Sequence, residues 1–280
     1  MSQEIGVIGA GGMGKGVAQR FAQYGFKVIL LDVREEILEA AANELRRNLK
    51  LAGMFQKSID VNKIMDNIST SSSYGDLSNV DFIVENVTED QSVKKNVYEE
   101  LEEAGKKDCI FMADTSCIPI TLIGSFTKRP EKVVGVHFMN PVPMKDFTEV
   151  IKGRLTSEET VENTVKLLNA VNISAEVVND GAGFVSNRLS HLFMNEAAFL
   201  VYEHVATAEQ IDTIFKKGFG HKMGPLETAD LIGLDTVLYS LKVLYEQYED
   251  TKFRACPLLK QMVQAGMFGR KSGKGFYEYQ

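Results

Sequence analysis

The run His137-Phe138-Met139-Asn140-Pro141-Val142-Pro143 follows the apolar stretch Val133 to Val136. An imidazole titrates near neutrality, so a histidine at a strand end facing a ligand crevice can take a proton from a hydroxyl and return it. Glu149 comes twelve positions later, in a second β-like run from Thr148 to Ile151, beyond a loop held by two prolines. A chain that doubles back there sets the carboxylate beside the imidazole, where it orients the ring and steadies its charged form. A lone histidine beside prolines is also common as plain structure, and local chemistry leaves both uses open.

A second constellation lies near the start. Gly9-Ala10-Gly11-Gly12-Met13-Gly14 has the spacing G-x-G-x-x-G, directly after the apolar run Ile5 to Ile8 and directly before a helical pattern carrying Val17, Phe21 and Tyr24. In that context the glycines permit a tight turn and let a pyrophosphate approach the amides at a helix N-terminus. Bulk at Gly9 or Gly11 is expected to abolish binding. Asp32 ends the next apolar run, close to the offset of about twenty residues at which a carboxylate accepts from ribose hydroxyls and repels a 2′-phosphate. NAD is therefore expected rather than NADP, with Arg34 the feature that leaves NADP open. The plain alternative is a glycine turn that serves only helix–strand packing.

These residues need a scaffold. The short runs Ile5 to Ile8, Val28 to Leu31, Phe82 to Val84, Ile110 to Met112 and Val133 to Val136 alternate with longer helical patterns, as in buried parallel strands with crossover helices. Beyond Gly183, Phe184, Leu189, Leu192, Phe193, Ala197, Leu200 and Val201 recur at helical spacing, and helical stretches continue to about Gln264. The turn-rich junction Asn179-Asp180-Gly181-Ala182-Gly183 lies between. The expected fold is α/β: a Rossmann-like doubly wound sheet over 1–180, then an all-helical domain over 181–280, with the reaction in the cleft between them. The polar run Ser69 to Ser73 is too short for a linker.

Composition narrows the partners. The 280 residues carry a net charge of −7, against a nucleic acid or an anionic membrane as main partner. No apolar run reaches the roughly 18 residues of a membrane span, and a cytoplasmic enzyme is expected. Cys109, Cys117 and Cys256 lack metal-ligand spacing, so no metal site is expected.

Together the motifs resemble the 3-hydroxyacyl-CoA dehydrogenases, including the short bacterial 3-hydroxybutyryl-CoA dehydrogenases, over essentially the whole chain. The resemblance includes Asp114-Thr115-Ser116, the stretch His137 to Glu149, Gly183-Phe184-Val185-Ser186-Asn187-Arg188, Met223-Gly224-Pro225-Leu226-Glu227, Ile232-Gly233-Leu234-Asp235 and Gly269 to Tyr277. It implies NAD-linked, reversible oxidation of a 3-hydroxyacyl thioester of S configuration, with His137 as base and Glu149 steadying it. It also implies that Ser116 and Asn187 bond the reacting oxygen or orient the histidine, that Glu89, Lys94, Asn140 and Lys271 contact the cofactor, and that the helical domains pair into a homodimer. Plain structural uses stand beside these: Ser116 as a helix cap, Asn187 as a bridge between domains, Lys94 and Lys271 as solvated charge.

The chain also departs from the family. Where a basic cluster usually serves the CoA phosphates, it reads Leu51-Ala52-Gly53-Met54, with Lys50 or Lys57 as substitutes. Asp114 replaces the more usual Asn, Ala182 a Pro, and Asn86 an uncharged small residue. One alternative is the same chemistry on an acyl group carried by an acyl carrier protein. Such an acidic partner would dock on Lys94 with Lys95 or on Lys216 with Lys217. A remoter alternative is a non-catalytic NAD-binding structural protein.

Overall fold

Strands that are apolar at successive positions must be covered on both faces. In the computed structural model, which describes residues 4–55 and 60–279, that covering comes from helices on either side of one sheet. Lys57 lies outside the described residues. The chain divides into two compact units that part between Gly181 and Ala182.

The first unit runs β1 (Glu4–Ile8), α1 (Gly12–Gln23), β2 (Lys27–Leu31), α2 (Glu35–Phe55), α3 (Val61–Met65), β3 (Ile68–Ser71), β4 (Phe82–Glu85) and α4 (Gln91–Ala104). It continues through β5 (Ile110–Ala113), α5 (Ile120–Gly124), β6 (Val133–Phe138), β7 (Phe147–Lys152), α6 (Glu158–Ala170) and β8 (Ser174–Asn179). The eight strands form one sheet in the order β3-β2-β1-β4-β5-β6-β7-β8. All pairs are parallel except β6 with β7. The strand order reverses between β1 and β4, so a ligand crevice opens at their carboxyl ends.

The core of this unit is the strand interior, Ile5, Val7, Leu30, Val84, Met112, Val134, Val136 and Val150, with α1 contributing Val17 and Phe21. The two outer strands, β3 and β8, carry mostly exposed or half-buried side chains. Each pairs along one side only, so neither needs an apolar run, and the polar stretch from Ser69 is largely strand.

The second unit holds α7 (Ser186–Tyr202), α8 (Ala208–Gly218), α9 (Pro225–Ile232), α10 (Leu234–Tyr248) and α11 (Pro257–Gln264). Met194, Ala198, Ile211, Leu226, Val237, Leu241 and Leu259 fill its core. Two expectations change here: Phe184 precedes α7 with φ +51°, and Leu189 is 63% exposed. Two buried carboxylates tie down the residues after α11. Asp212 accepts from the amides of Leu226 and Glu227 at the start of α9 and from the Tyr277 hydroxyl, at 2.9, 2.8 and 2.8 Å. Asp230 accepts from the amides of Phe276 and Tyr277 and from the Tyr279 hydroxyl, at 3.0, 3.0 and 2.9 Å. No helix among the described residues is long and apolar enough to cross a membrane.

One buried cation braces the first unit. Arg20 of α1 donates to the carbonyls of Val171, Asn172 and Pro143 at 2.8, 2.6 and 3.2 Å, and to Asp146 at 2.7 Å. It thereby ties the helix after the glycine turn to the loop between β6 and β7. Removing it leaves buried carbonyls without donors, each worth roughly 1–3 kcal/mol. Arg20→Met should therefore lower the unfolding free energy by about 2–4 kcal/mol, read as a lower urea midpoint at unchanged m.

Candidate functional site

The crevice at the sheet's switch point is built by glycines with different duties. Gly9 sits at φ +90°, and a Cβ there would lie 2.8 Å from the Asn86 carbonyl oxygen. A Cβ on Gly14 would fall 1.8 Å from the Gly9 carbonyl oxygen, so this glycine lets α1 pack on the turn. Gly11 and Gly12 are different: no atom lies within 4 Å of a Cβ built on either. Their smallness serves no contact within the chain and leaves a cradle against the first amides of α1.

Beside the cradle is a cavity of about 320 Å³, lined by Gly9, Gly11, Asp32, Arg34, Tyr74 and Asn86 among others. Asp32 Oδ2 accepts from the Ala10 amide at 3.0 Å, which fixes the carboxylate at the end of β2. The Asn86 side-chain oxygen is buried without a hydrogen-bond partner among the described residues. The open cradle, the fixed acid and this acceptor fit a dinucleotide. A second cavity, of about 310 Å³, is lined by Gly12, Lys15, Asn140 and Met144; Lys15 there pairs with Glu44.

His137 lies on the same carboxyl edge of the parallel strands, one residue from the end of β6. The antiparallel register of β7 sets Glu149 directly opposite it. Nδ1 of the ring is 2.9 Å from Glu149 Oε2, both side chains being nearly buried. With the carboxylate accepting at Nδ1, the neutral ring carries its lone pair on Nε2 and can act as a base. Thr148 Oγ1 donates to the His137 carbonyl at 2.7 Å, a further tie between the strands.

Ser116 lies in a turn after β5 that Glu89 organises. Glu89 Oε1 accepts from Thr115 Oγ1 and from the amides of Ser116 and Cys117, at 2.6, 2.9 and 2.9 Å. The amides opening α5 go to Asp180, at 3.0 and 2.7 Å, so capping that helix does not fall to Ser116. Lys94 corrects the expectation of a solvated cation or of a docking surface: its side chain is 0% exposed. Its ammonium donates to both Glu85 oxygens at 2.9 Å and stands 3.8 Å from Glu89. The other proposed docking pair is also weakened, because Lys216 is bonded to Glu227 at 2.5 Å.

In the second unit, Asn187 lies in the first turn of α7, its carbonyl accepting from His191 Nδ1 at 2.8 Å. Lys271 is bonded to Asp235 at 2.6 Å.

Asp114, just past β5, accepts the Phe138 amide at Oδ1, 3.3 Å away. Burial pushes this carboxyl up to about 7, against the opposing pull of His137, the Phe138 amide and Lys94. The residue type at 114 is plain in the sequence, but its half-buried seat beside β4, α4 and β6 comes only from the packing.

Two measurements follow. Gly11→Val should fold normally, with unchanged Tm, and bind NAD at least about 100-fold more weakly by titration calorimetry, whereas Gly14→Val should fail to fold. The folded state holds the Asp114 proton that an unfolded chain releases above about pH 4, so this group's stabilisation is complete below that and is lost as pH rises through about 7. Asp114→Asn should therefore stabilise the protein above pH 7, the gain vanishing toward pH 4 in thermal melts.

Comparison with known proteins gives the same direction as the geometry. The model of the 3-hydroxyacyl-CoA dehydrogenase NAD binding domain matches residues 4–181, and that of the 3-hydroxyacyl-CoA dehydrogenase C-terminal domain matches residues 183–279. A 3-hydroxybutyryl-CoA dehydrogenase of Clostridioides difficile is 42% identical over 279 residues, 99% of each chain. One of Bradyrhizobium diazoefficiens is 39% identical over 281 residues, 99% of this chain and 95% of that one. The crystal structure of an (S)-3-hydroxybutyryl-CoA dehydrogenase from Ralstonia eutropha superposes with a TM-score of 0.95 at 33% identity, covering 100% of both chains. A crevice shaped for a dinucleotide, a histidine–glutamate pair on its edge and likeness over the full length agree: the chain belongs to the 3-hydroxyacyl-CoA dehydrogenase family, its first unit being that family's NAD binding domain.

Proposed function

We propose that this protein catalyses the reversible, NAD-dependent oxidation of a short (S)-3-hydroxyacyl-CoA to the 3-oxoacyl-CoA. The observation that carries the reading is the 2.9 Å contact of His137 Nδ1 with Glu149, on the crevice edge of the sheet. The glycine cradle and Asp32 would hold NAD, which would supply the acceptor for the hydride of the carbinol carbon. His137 takes the hydroxyl proton at Nε2, and Glu149 steadies the imidazolium that results. In reduction the same imidazolium returns the proton to the 3-oxo oxygen.

Ser116 and Asn187 bond the reacting oxygen or hold the ring. Glu89 and Lys94 serve the site through the Ser116 turn, while Asn140 and Lys271 reach the cofactor. CoA is favoured over an acyl carrier protein because Lys94 and Lys216, half of the basic groups such a partner would meet, are engaged by carboxylates. Exposed Leu189, Ile214, Phe219, Tyr239 and Tyr245 support pairing of the helical units into a homodimer. A histidine held by an acid at hydrogen-bond distance argues against a role limited to binding NAD.

Acetoacetyl-CoA with NADH should be turned over, and His137→Gln should lower kcat by about 100-fold or more while NAD affinity stays within about twofold. Undiminished turnover in that variant would remove His137 from the chemistry.

A further inference from the structure

We infer that Asp114 is a positioning residue for His137: its carboxylate, on the strand next to the histidine's, supplies a second negative charge that joins Glu149 in favouring the imidazolium. The inference rests on the acid–base reading of His137 given above.

The two strands are neighbours in register. β5 pairs in parallel with β6, Ala113 opposite Gly135, and Asp114 follows Ala113. The Phe138 amide, the one after His137, donates to Asp114 Oδ1 at 3.3 Å, and the Asp114 amide donates to the Glu85 carbonyl at 2.9 Å. An asparagine oxygen would accept from Phe138 equally well, so the hydrogen bond alone does not call for an acid. What an acid adds is charge.

Among the described residues, His137, Lys94 and Glu85 act on that charge. Glu85 approaches from β4, Lys94 from α4 and His137 from β6, while Glu149 on β7 faces the far side of the imidazole. Lys94 is already shared between Glu85 and Glu89. Among the described residues His137 is the cation that pulls most on Asp114, ahead of Lys94. Burial holds the Asp114 carboxyl up at about 7, so its charge appears near neutrality, at the end of the strand next to the one that carries His137.

The sign follows from the reaction. Reduction of the 3-oxo group needs a protonated His137, whose Nε2–H bond breaks as the new O–H bond forms and the carbonyl carbon gains hydride. An ionised Asp114 preserves that protonated form toward higher pH, and oxidation, which needs the neutral ring, is restrained over the same range.

The test uses Asp114→Asn, which keeps the acceptor for Phe138. In NADH-dependent reduction of acetoacetyl-CoA, the basic limb of the kcat/KM profile should move to lower pH by about one unit, the usual effect of one neighbouring charge. In the NAD-free protein, the His137 Cε1–H proton resonance should titrate in two coupled steps in the parent and in one step, at lower pH, in the variant. The parent's two-step curve is itself decisive if the variant does not fold. A one-step curve in the parent, or profiles that superimpose, would overturn the inference. Absence of turnover in the parent would instead count against the proposed function, with the NMR titration still judging Asp114.

Discussion

The antiparallel seating of β7 on β6 is the constraint on which the site depends. In a strand pair the side-chain period is two, so a slip of one residue would carry Glu149 to the opposite face of the sheet and leave His137 without its acid. Several contacts hold the register. Thr148 bonds the His137 carbonyl, and Arg20 grips Pro143 and Asp146 in the intervening loop. Because Arg20 belongs to the helix that opens at the dinucleotide cradle, the cradle and the His137–Glu149 pair share one brace.

Behind the site stands a buried polar layer. Lys94 is enclosed by Glu85 and approached by Glu89, and Glu89 in turn collects three donors from the turn that bears Ser116. Burial raises the Glu85 carboxyl and Lys94 opposes that rise. Isolated, either charge would be expensive in such a place; together they fix one geometry for the turn. The more remote partner is Asp114, which feels the same lysine and glutamate. In the proposed mechanism, proton chemistry at the histidine is set by charges on β4, β7 and α4 and just past the end of β5.

Much of this was legible in the residues. The central strands announce themselves because they are covered on both faces, and the glycine spacing followed by Asp32 locates the crevice. Two β-like runs flanking a proline loop were enough to bring Glu149 back to His137. The edges were harder: β3 and β8 face solvent along one side and carry no apolar signature. Lys94 misled for a related reason. A lysine on an amphipathic helix reads as solvated, and only the fold brings Glu85, nine residues earlier, underneath it. The glycine spacing does not say which glycine has which duty: Gly9 and Gly14 relieve contacts within the chain, and Gly11 and Gly12 leave room beside it.

The two buried aspartates of the helical unit carry a consequence for its biogenesis. Asp212 and Asp230 lie in the first half of that unit, yet the tyrosine hydroxyls and two of the four amides that satisfy them belong to residues 276–279. During synthesis these acids emerge well before their partners. Until Tyr279 is clear of the ribosome, the unit has carboxylates it cannot bury and a helical core it cannot close. Its folding is therefore completed after translation has passed the whole unit, not helix by helix as the chain appears.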